Sequence, residues 1–281
     1  HGLDRKKIEE IAKNPYLPNY PLVIAKGTPP EQGEDAYLTA KVEIKKEKKT
    51  FAEEKKVNFR DVLNIPSVKK GQVIAKVVPE TPGKNGISVT GRPIPARRGK
   101  PLAIRPGKNV TREGNEFLAS IDGQVSITNR AISVNPVFEV RGDLDLKTGN
   151  IDFVGNVIIR GNVPTGYEIN TGGDIKIYGL VEGSDLKAQG NIYISGGVNA
   201  GNRGSVIAEG NVQAAYLNQA VVQAGQDVIV NSSLLHSNVR AAGSIISKTG
   251  KAIGGELIAG KQIYIKDLGN RLYTRTEVYV G

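Results

Sequence analysis

The sequence has no cysteine, no tryptophan and no methionine, and its only two histidines, His1 and His236, lie far apart. Without cysteine there can be no disulfide and no thiolate metal site. Two distant histidines do not predict a zinc site either. No apolar run approaches the roughly 20 residues that a membrane-spanning helix needs, and no signal-peptide pattern is present. We therefore expect no metal, no cofactor and no membrane span.

The missing initiator methionine predicts that these 281 residues are part of a longer chain, and the missing signal peptide predicts a cytoplasmic protein. Aromatic residues make up only 5% of the chain, whereas glycine occurs 34 times. Many glycines together with many valines and isoleucines indicate short strands joined by tight turns. The composition therefore favours a mainly β protein over a compact domain with a large aromatic core.

The net charge of +10 is concentrated in the front of the chain. Residues 1–100 contain 21 Lys and Arg against 12 Asp and Glu, whereas residues 141–281 contain 13 against 12. Any partner that is attracted by positive charge should therefore meet the front part first.

From residue 141 onward a short pattern returns: a glycine, a small polar residue, then alternating apolar residues. Examples are Gly155-Asn156-Val157-Ile158-Ile159, Gly173-Asp174-Ile175-Lys176-Ile177 and Gly190-Asn191-Ile192-Tyr193-Ile194. Counted from Gly142 to Gly260, the repeat averages about 17 residues, which is too short for helical repeats and indicates a solenoid. The pattern predicts a right-handed, single-stranded parallel β-helix whose rungs each contain two or three short strands.

The alternation also predicts which side chains face the interior. Val157 and Ile175 should point inward, as should a series of small residues that suits a narrow core. These are Ala188, Ala208, Ala224, Ala241 and Ala259. Glycine at the corners is expected to supply positive φ angles.

The front of the chain lacks this repeat and predicts a β-rich α+β domain. Residues 3–13 form a short amphipathic pattern with Asp4 as the expected N-cap, and short strand-like segments continue to about Val134. We place the division near Pro136, giving a front domain over 1–135 and a β-helix over 136–281.

Several segments resemble the flagellar assembly protein A family. They are Ile24–Pro30 with Gly33-Glu34-Asp35, Val68–Ala75, Pro82–Gly86 with Val89–Pro95, Gly107–Val110, Thr148–Phe153 and Thr276–Gly281. Their order matches over nearly the whole chain, and the loop that contains Pro82, Gly83, Gly86, Gly91 and Arg92 is the most distinctive. The stretch from Lys41 to Lys56 departs from the family pattern in being more heavily charged.

The resemblance implies a non-catalytic function. It brings no catalytic residues, and it implies a scaffold that acts in the assembly or placement of the bacterial flagellum through protein partners, without a small-molecule substrate. One alternative is a polymer-forming cytoskeletal protein similar to bactofilins, although these lack a front domain. A carbohydrate-active β-helix enzyme is a further alternative, which the lack of a repeated ionisable cleft disfavours.

Two sets of residues are candidate interaction surfaces. The first is the basic run Lys45, Lys46, Lys48, Lys49, Lys55 and Lys56, and the second is the set of outward tyrosines Tyr178, Tyr193 and Tyr264. The basic run could contact phosphates, but its interleaved acids favour a solvated loop over nucleic-acid binding. The tyrosines could form an adhesive outer face or ordinary ladder stacking, and the sequence leaves both open.

Three further features have structural interpretations that we prefer. Asp143, Asp145 and Asp152 resemble the acidic ligands of pectate lyases, but they suit polar positions at a solenoid end better. The glycine-rich loop leads into valine and prolines rather than into a helix, so it predicts a turn and not a phosphate-binding loop. His236 has no nucleophile nearby in sequence and is expected to be a wall residue. We also expect a homo-oligomer, with a dimer favoured because two-fold symmetry is commonest.

Overall fold

The computed structural model describes residues 2–13, 16, 23–42 and 65–281. The one helix among the described residues, α1 (Arg5–Lys13), begins after Asp4, whose Oδ1 accepts a hydrogen bond from the backbone N–H of Lys7 at 3.2 Å. This is the N-cap that the sequence predicts. The sequence also predicts a strand at Val42 and Ile44 and a helical turn at residues 57–63; Ile44 and the helical turn lie outside the described residues.

The front domain is built from two four-stranded sheets and one hairpin within the described residues. Its strands are β1 (Tyr37–Ala40), β2 (Ser67–Val68), β3 (Val73–Val78), β4 (Gly86–Ile87), β5 (Pro93–Ile94), β6 (Arg105–Pro106), β7 (Val110–Glu113), β8 (Glu116–Ala119), β9 (Gly123–Ile127) and β10 (Ala131–Asn135). The sheets have the orders β1-β3-β8-β7 and β2-β9-β10-β6, and β4 pairs with β5. Ile74, Phe117 and Ile132 are fully buried in their common core.

The remaining strands form one parallel solenoid. They are β11 (Val137–Val140), β12 (Ile151–Phe153), β13 (Asn156–Ile159), β14 (Glu168–Thr171), β15 (Ile175–Ile177), β16 (Val181–Glu182), β17 (Asp185–Ala188), β18 (Ile192–Ile194), β19 (Val198–Asn199), β20 (Val206–Ala208), β21 (Val212–Asn218), β22 (Val221–Ala224), β23 (Val228–Ala241), β24 (Ser244–Ala259), β25 (Gln262–Leu268) and β26 (Thr276–Val280). Every pairing among them is parallel, and the chain makes about eight turns. The predicted parallel β-helix is therefore confirmed.

Each full rung has three faces, which we number in chain order. Face one holds β11, β13, β15, β18 and the first parts of β21, β23, β24 and β25. Face two holds β16, β19 and the middle or last parts of the longer strands. Face three holds β12, β14, β17, β20, β22, the last parts of β23 and β24, and β26. Long strands such as β23 turn corners without leaving the ladder.

The predicted inward residues line the interior. Val157 and Ile175 are fully buried and lie in register on face one. The five alanines are buried on face three, stacked below one another from Ala188 to Ala259. Burying an isoleucine or valine side chain contributes about 1.5–3 kcal/mol. The buried isoleucines and valines that line the interior are therefore a main source of the stability of the solenoid.

The polar residue after the corner glycine has a specific task. The side-chain oxygen of Asn156 accepts the backbone N–H of Asp174 at 2.8 Å, and Asp174 does the same for Asn191 at 2.7 Å. The series continues through Asn211 and Asp227 to Ser244. We call this column the Asx ladder. It supplies a hydrogen-bond acceptor to a backbone donor on each following rung, where the chain turns from face three to face one.

Glycine is required beside this ladder because there is no space for a Cβ atom. The prediction that these corner glycines have positive φ angles is wrong. The glycines Gly173, Gly190 and Gly210 have no positive φ. A Cβ on Gly190 would lie 2.2 Å from Oδ1 of Asp174, and a Cβ on Gly210 would lie 2.5 Å from Oδ1 of Asn191. The carboxamide or carboxylate of one rung therefore occupies the volume where the next rung would place a side chain.

Gly142 and Gly155 follow one another in the glycine series of the sequence, but they lie at different corners of the solenoid. Asp143 Oδ1 accepts the N–H of Asn162 at 2.7 Å, and Asn162 Oδ1 accepts the N–H of Leu180 at 2.7 Å. This is a second, shorter ladder between face one and face two. Gly142 therefore corresponds to Gly161, and the same local motif serves two corners.

The two ends of the solenoid differ. At the first rung, Ile65 of the front domain is buried in the same apolar cluster as the solenoid interior, and β9 contacts β11. At the last rung, Val278 and Val280 occupy inward positions but remain 36% and 55% exposed. The front domain thus covers one end, and the described residues leave the other end open.

Candidate interaction surfaces

The outer side of face one carries one continuous row of side chains. Parallel register aligns, from rung to rung, Glu139, Ile158, Lys176, Tyr193, Gln213, Ile229, Ile246 and Tyr264. We call this the face-one row. It mixes apolar, aromatic and charged groups, and it is therefore a candidate interaction surface.

The three predicted tyrosines point to solvent but do not stack on one another. Tyr193 and Tyr264 are 36% and 58% exposed in the face-one row, four rungs apart, or about 19 Å at the usual strand spacing. Tyr178 lies one residue beyond β15 and outside the row. Their arrangement is therefore not the tyrosine ladder that was one of the two interpretations.

Tyr178 belongs to a small charged cluster. The Arg160 guanidinium carbon lies 4.7 Å from its ring centre and Lys176 Nζ lies 4.9 Å from it. Arg160 Nε donates to Glu139 Oε1 at 2.7 Å, and this hydrogen bond is the main reason why the pKa of Arg160 is raised. A hydrogen bond with Lys176, aided by the nearby Arg160 charge, lowers the pKa of Tyr178. Because all these groups are exposed, the cluster is available to a partner.

A shallow groove of about 440 Å³ runs beside Tyr193. Its polar lining includes Asp174, Lys176, Gln213 and Asn231, and Ile158 adds an apolar wall. An aromatic ring next to an ammonium, a carboxylate and amides can hold an extended polar segment by stacking and by hydrogen bonds. The sequence could not reveal this groove, because it forms only when separate rungs align.

The basic run from Lys45 to Lys56 lies outside the described residues. The six lysines therefore stay a prediction.

The most distinctive sequence loop clasps a neighbouring segment of the front domain. Lys84 and Glu31 exchange two backbone hydrogen bonds of 2.8 and 3.0 Å, and Lys84 Nζ lies 2.9 Å from Glu31 Oε2. This ion pair raises the pKa of Lys84. On the other side, the N–H groups of Gly33 and Ala36 donate to the carbonyls of Arg97 and Lys100. We call residues 28–36 together with residues 81–100 the motif clasp.

The glycines of the loop have different roles within the clasp. Gly83 and Gly91 have φ angles of 74° and 84°, which other residues rarely adopt. A Cβ on Gly86 would lie 2.3 Å from the carbonyl oxygen of Thr28. Pro82 precedes the first turn and Arg92 follows the second, and both are exposed. The loop is a tight double turn around a neighbouring strand segment, with no helix N-terminus that could bind phosphate.

The three candidate acids make separate contacts. Asp143 caps a backbone donor in the short ladder. Asp145 accepts the N–H groups of Lys147 and Thr148, and the Thr148 hydrogen bond lowers the pKa of Asp145. Asp152 points to solvent from β12. Two of the three carboxylates thus stabilise turns of the first rung.

His236 lies within β23 and is exposed at a corner of its rung, and its role as a wall residue stays a prediction. Its φ of 48° places it in the left-handed region, next to Gly254 of the following rung. The backbone turns sharply there, and the imidazole is left outside the ladder.

A second cleft, of about 510 Å³, lies where the front domain meets face three. Lys69 and Asp122 of the front domain face Asp152, Lys187 and Glu209 of the solenoid. Among the described residues there is no group of three or more His, Cys, Asp or Glu side chains placed to hold a metal ion. No helix in the described part of the chain is long and apolar enough to cross a membrane.

These features define a class: a mainly β protein in which a clasped, β-rich front domain sits on one end of a parallel β-solenoid. A family model described as the Flagellar Assembly Protein A beta solenoid domain matches residues 136–281, and one described as the Flagellar Assembly Protein A N-terminal region matches residues 1–130. The chain belongs to the flagellar assembly protein A family, as its motifs indicate. Comparisons with the curated proteins and with the solved structures found no match.

Proposed function

We propose that this protein is a non-catalytic scaffold that acts in flagellar assembly through protein–protein contacts in the cytoplasm. The observation that carries the proposal is the face-one row, in which the solenoid presents apolar, aromatic and charged side chains at fixed spacing. A rod of about eight rungs is about 38 Å long at 4.8 Å per rung. Such a rod can hold a partner at a set distance from the front domain.

The roles of the acids support a scaffold over an enzyme. Asp143 and Asp145 each use one carboxylate oxygen to accept hydrogen bonds from backbone N–H groups. An acid or base in catalysis must instead be free to reach the substrate proton. The bactofilin-like alternative gains no support from the family match, and a solenoid with one end covered by another domain cannot stack head to tail through both ends.

We test the scaffold by counting flagella in cells that lack the gene and carry variants on a plasmid. The variant Lys176→Glu with Tyr193→Ser alters the face-one row and should restore far fewer flagella than the wild-type chain. The matched control, Lys251→Glu with Gln223→Ser outside the face-one row, should restore them fully. Protein levels measured by immunoblotting must be equal in all strains.

An enzyme would give the opposite pattern. The variant with Asp143→Asn, Asp145→Asn and Asp152→Asn keeps hydrogen-bond acceptors but removes all three carboxylates. A scaffold predicts normal flagellation for it. Loss of flagella in this variant, together with normal flagella in the face-one variant, would contradict the proposal.

We also propose that the protein forms a homodimer. Two-fold symmetry is the commonest arrangement of identical subunits, and it gives a closed assembly in which both copies use the same surface.

A further inference from the structure

Residues 81–112, which include the second segment of the motif clasp and the strand segments after it, form an acid-free basic stretch, whereas the first segment of the clasp carries Glu31, Glu34 and Asp35. Between Glu80 and Glu113 the chain has no Asp or Glu. It has eight exposed cationic side chains: Lys84, Arg92, Arg97, Arg98, Lys100, Arg105, Lys108 and Arg112. This local excess of positive charge contrasts with the solenoid, which is nearly neutral. The charge is therefore placed on one part of one domain, as in a surface that meets a polyanion.

The first five of these cations lie within residues 81–100, which the motif clasp holds against residues 28–36. Backbone hydrogen bonds tie residues 28–31 to 84–87 on one side and residues 33–36 to 97–100 on the other. Lys84 and Arg98 are paired with Glu31 and Glu80 at 2.9 and 3.2 Å. These are exposed pairs, which contribute little and are readily exchanged.

Three of the clasp cations have no acidic partner. Among the described residues, no carboxylate lies within ion-pair distance of Arg92, Arg97 or Lys100. All three side chains are exposed. They are therefore available to bind an anion without first breaking a contact within the described part of the chain.

The tip of the hairpin adds exposed apolar groups between these cations. Val89 and Ile94 are 47% and 37% exposed, and Pro93 and Pro95 are also exposed. The turn is fixed because the N–H of Gly91 donates to the Ser88 carbonyl at 2.9 Å. A rigid apolar tip flanked by Lys and Arg has the chemistry of a segment that lies in a membrane interface, with apolar groups among the acyl chains and cations at the lipid phosphates.

Nucleic acid fits the same region less well. Residues 79–116 contain no Phe, Tyr or Trp, so no ring is available to stack on an unpaired base. Residues 81–112, all of them described, form no helix that could enter a major groove. We propose that the motif clasp binds the surface of an anionic phospholipid membrane, with the Val89–Ile94 tip inserted between headgroups and Arg92, Arg97 and Lys100 at the phosphates.

The contribution of the clasp cations to membrane binding is tested by co-sedimentation of the full chain with lipid vesicles. The wild type should bind vesicles of phosphatidylcholine with 30% phosphatidylglycerol (a chosen test composition of roughly one anionic lipid in three) and should not bind phosphatidylcholine alone. Each cation at an anionic surface contributes about fivefold to partitioning, so Arg92→Glu, Arg97→Glu and Lys100→Glu together should lower it on the order of a hundredfold. The control, Lys248→Glu, Lys251→Glu and Lys261→Glu on the solenoid, should bind as the wild type does.

Insertion is tested with a site-specific fluorophore, because the chain has no tryptophan. Val89→Trp should show a blue-shifted emission when anionic vesicles are added. Val221→Trp, at a position on the solenoid that is 46% exposed in the wild type, should show no shift. Circular dichroism and the melting temperature of each variant show whether it is folded as the wild type is.

The outcomes separate the possibilities. Binding to anionic vesicles that depends on the three clasp cations, with a shift at position 89 alone, supports the proposal. Equal binding by the clasp and control variants overturns it, as does the absence of binding by the wild type. Binding of duplex DNA that depends on the same cations, without vesicle binding or a fluorescence shift, would assign the region to nucleic acid and also overturn it.

Discussion

At the residue scale, the asparagine or aspartate that follows a corner glycine decides how consecutive rungs join. Asn191 accepts the backbone N–H of Asn211 at 2.9 Å, and its Oδ1 stands where a Cβ of Gly210 would be. The polar residue therefore both satisfies a backbone donor and excludes any side chain larger than hydrogen from the next corner. The two residues of the motif are coupled across rungs rather than within one rung.

Ser247 is the residue whose replacement should raise stability. It occupies an inward position on face one in register with Ile265 of the next rung, is fully buried, and its Oγ has no hydrogen-bond partner among the described residues. A buried hydroxyl without a partner costs about 1–3 kcal/mol. Ser247→Ala should therefore increase the free energy of unfolding by about 1 kcal/mol, measured by urea denaturation.

A second buried serine provides the control. Ser237 is 1% exposed, its hydroxyl donates to the Leu235 carbonyl at 2.8 Å and accepts the N–H of Ala220 at 3.1 Å. Ser237→Ala should lower stability by about 1 kcal/mol. If both substitutions change stability in the same direction, the unsatisfied state of Ser247 is not the cause.

At the scale of the repeating element, a double-mutant cycle tests the Asx ladder. Gly210→Ala places a Cβ 2.5 Å from Oδ1 of Asn191 and should destabilise by about 1–3 kcal/mol. Asn191→Ala leaves the N–H of Asn211 unpaired and should cost about 1–3 kcal/mol. The double variant should cost less than the sum by about 1 kcal/mol or more, because removing Asn191 also removes the clash. Strict additivity in urea denaturation would show that glycine is needed for another reason.

The inward register of face one predicts a second effect at this scale. Val157→Asp or Ile175→Asp puts a carboxylate into a fully buried apolar column and should cost several kcal/mol, enough to unfold the solenoid. Lys176→Asp, between two inward residues but itself exposed, is the matched control and should change the melting temperature little. A melting temperature of either core variant within a degree or two of the wild type would mean that the register is wrong.

The elements differ in how far the sequence predicts them. Alternation alone places Val157 and Ile175 inward, because a strand has a period of two and only one side of each rung is buried. The spacing of glycines predicts the solenoid but assigns Gly142 to the wrong corner, since the same Gly-Asx motif satisfies backbone donors at two corners. The reason for glycine itself lies in the neighbouring rung, at a distance that no local pattern reveals.

The candidate surfaces are less predictable than the fold. The outward direction of Tyr193 and Tyr264 follows from alternation, but their separation depends on how many rungs lie between them. The clasp of residues 81–100 around residues 28–36 joins segments that are about 50 to 65 residues apart in sequence, so no periodic pattern in the sequence predicts it. Both features are set by tertiary register.

At the scale of the whole molecule, the front domain determines which part of the rod a partner can reach. It meets the first rung, where Ile65 joins the apolar cluster of the solenoid interior. The outer faces of the rungs, among them the face-one row, remain accessible to partners.

The dimer proposal is tested by light scattering across a concentration series. The wild type should have twice the mass of the chain, 30.0 kDa, at micromolar concentration. A wild type that is strictly monomeric at high micromolar concentration would contradict the proposal.

The most direct test of the account is a distance along the rod, because the scaffold proposal requires outer side chains to be held at fixed intervals. The chain has no cysteine, so Lys176→Cys with Tyr264→Cys gives two unique sites for spin labels. These positions lie in the face-one row five rungs apart. Pulsed electron paramagnetic resonance on labelled protein diluted with unlabelled protein should give one narrow distribution, for backbones separated by about 24 Å at 4.8 Å per rung. A broad distribution, or a mean differing by more than the label lengths allow, would contradict a rigid parallel solenoid.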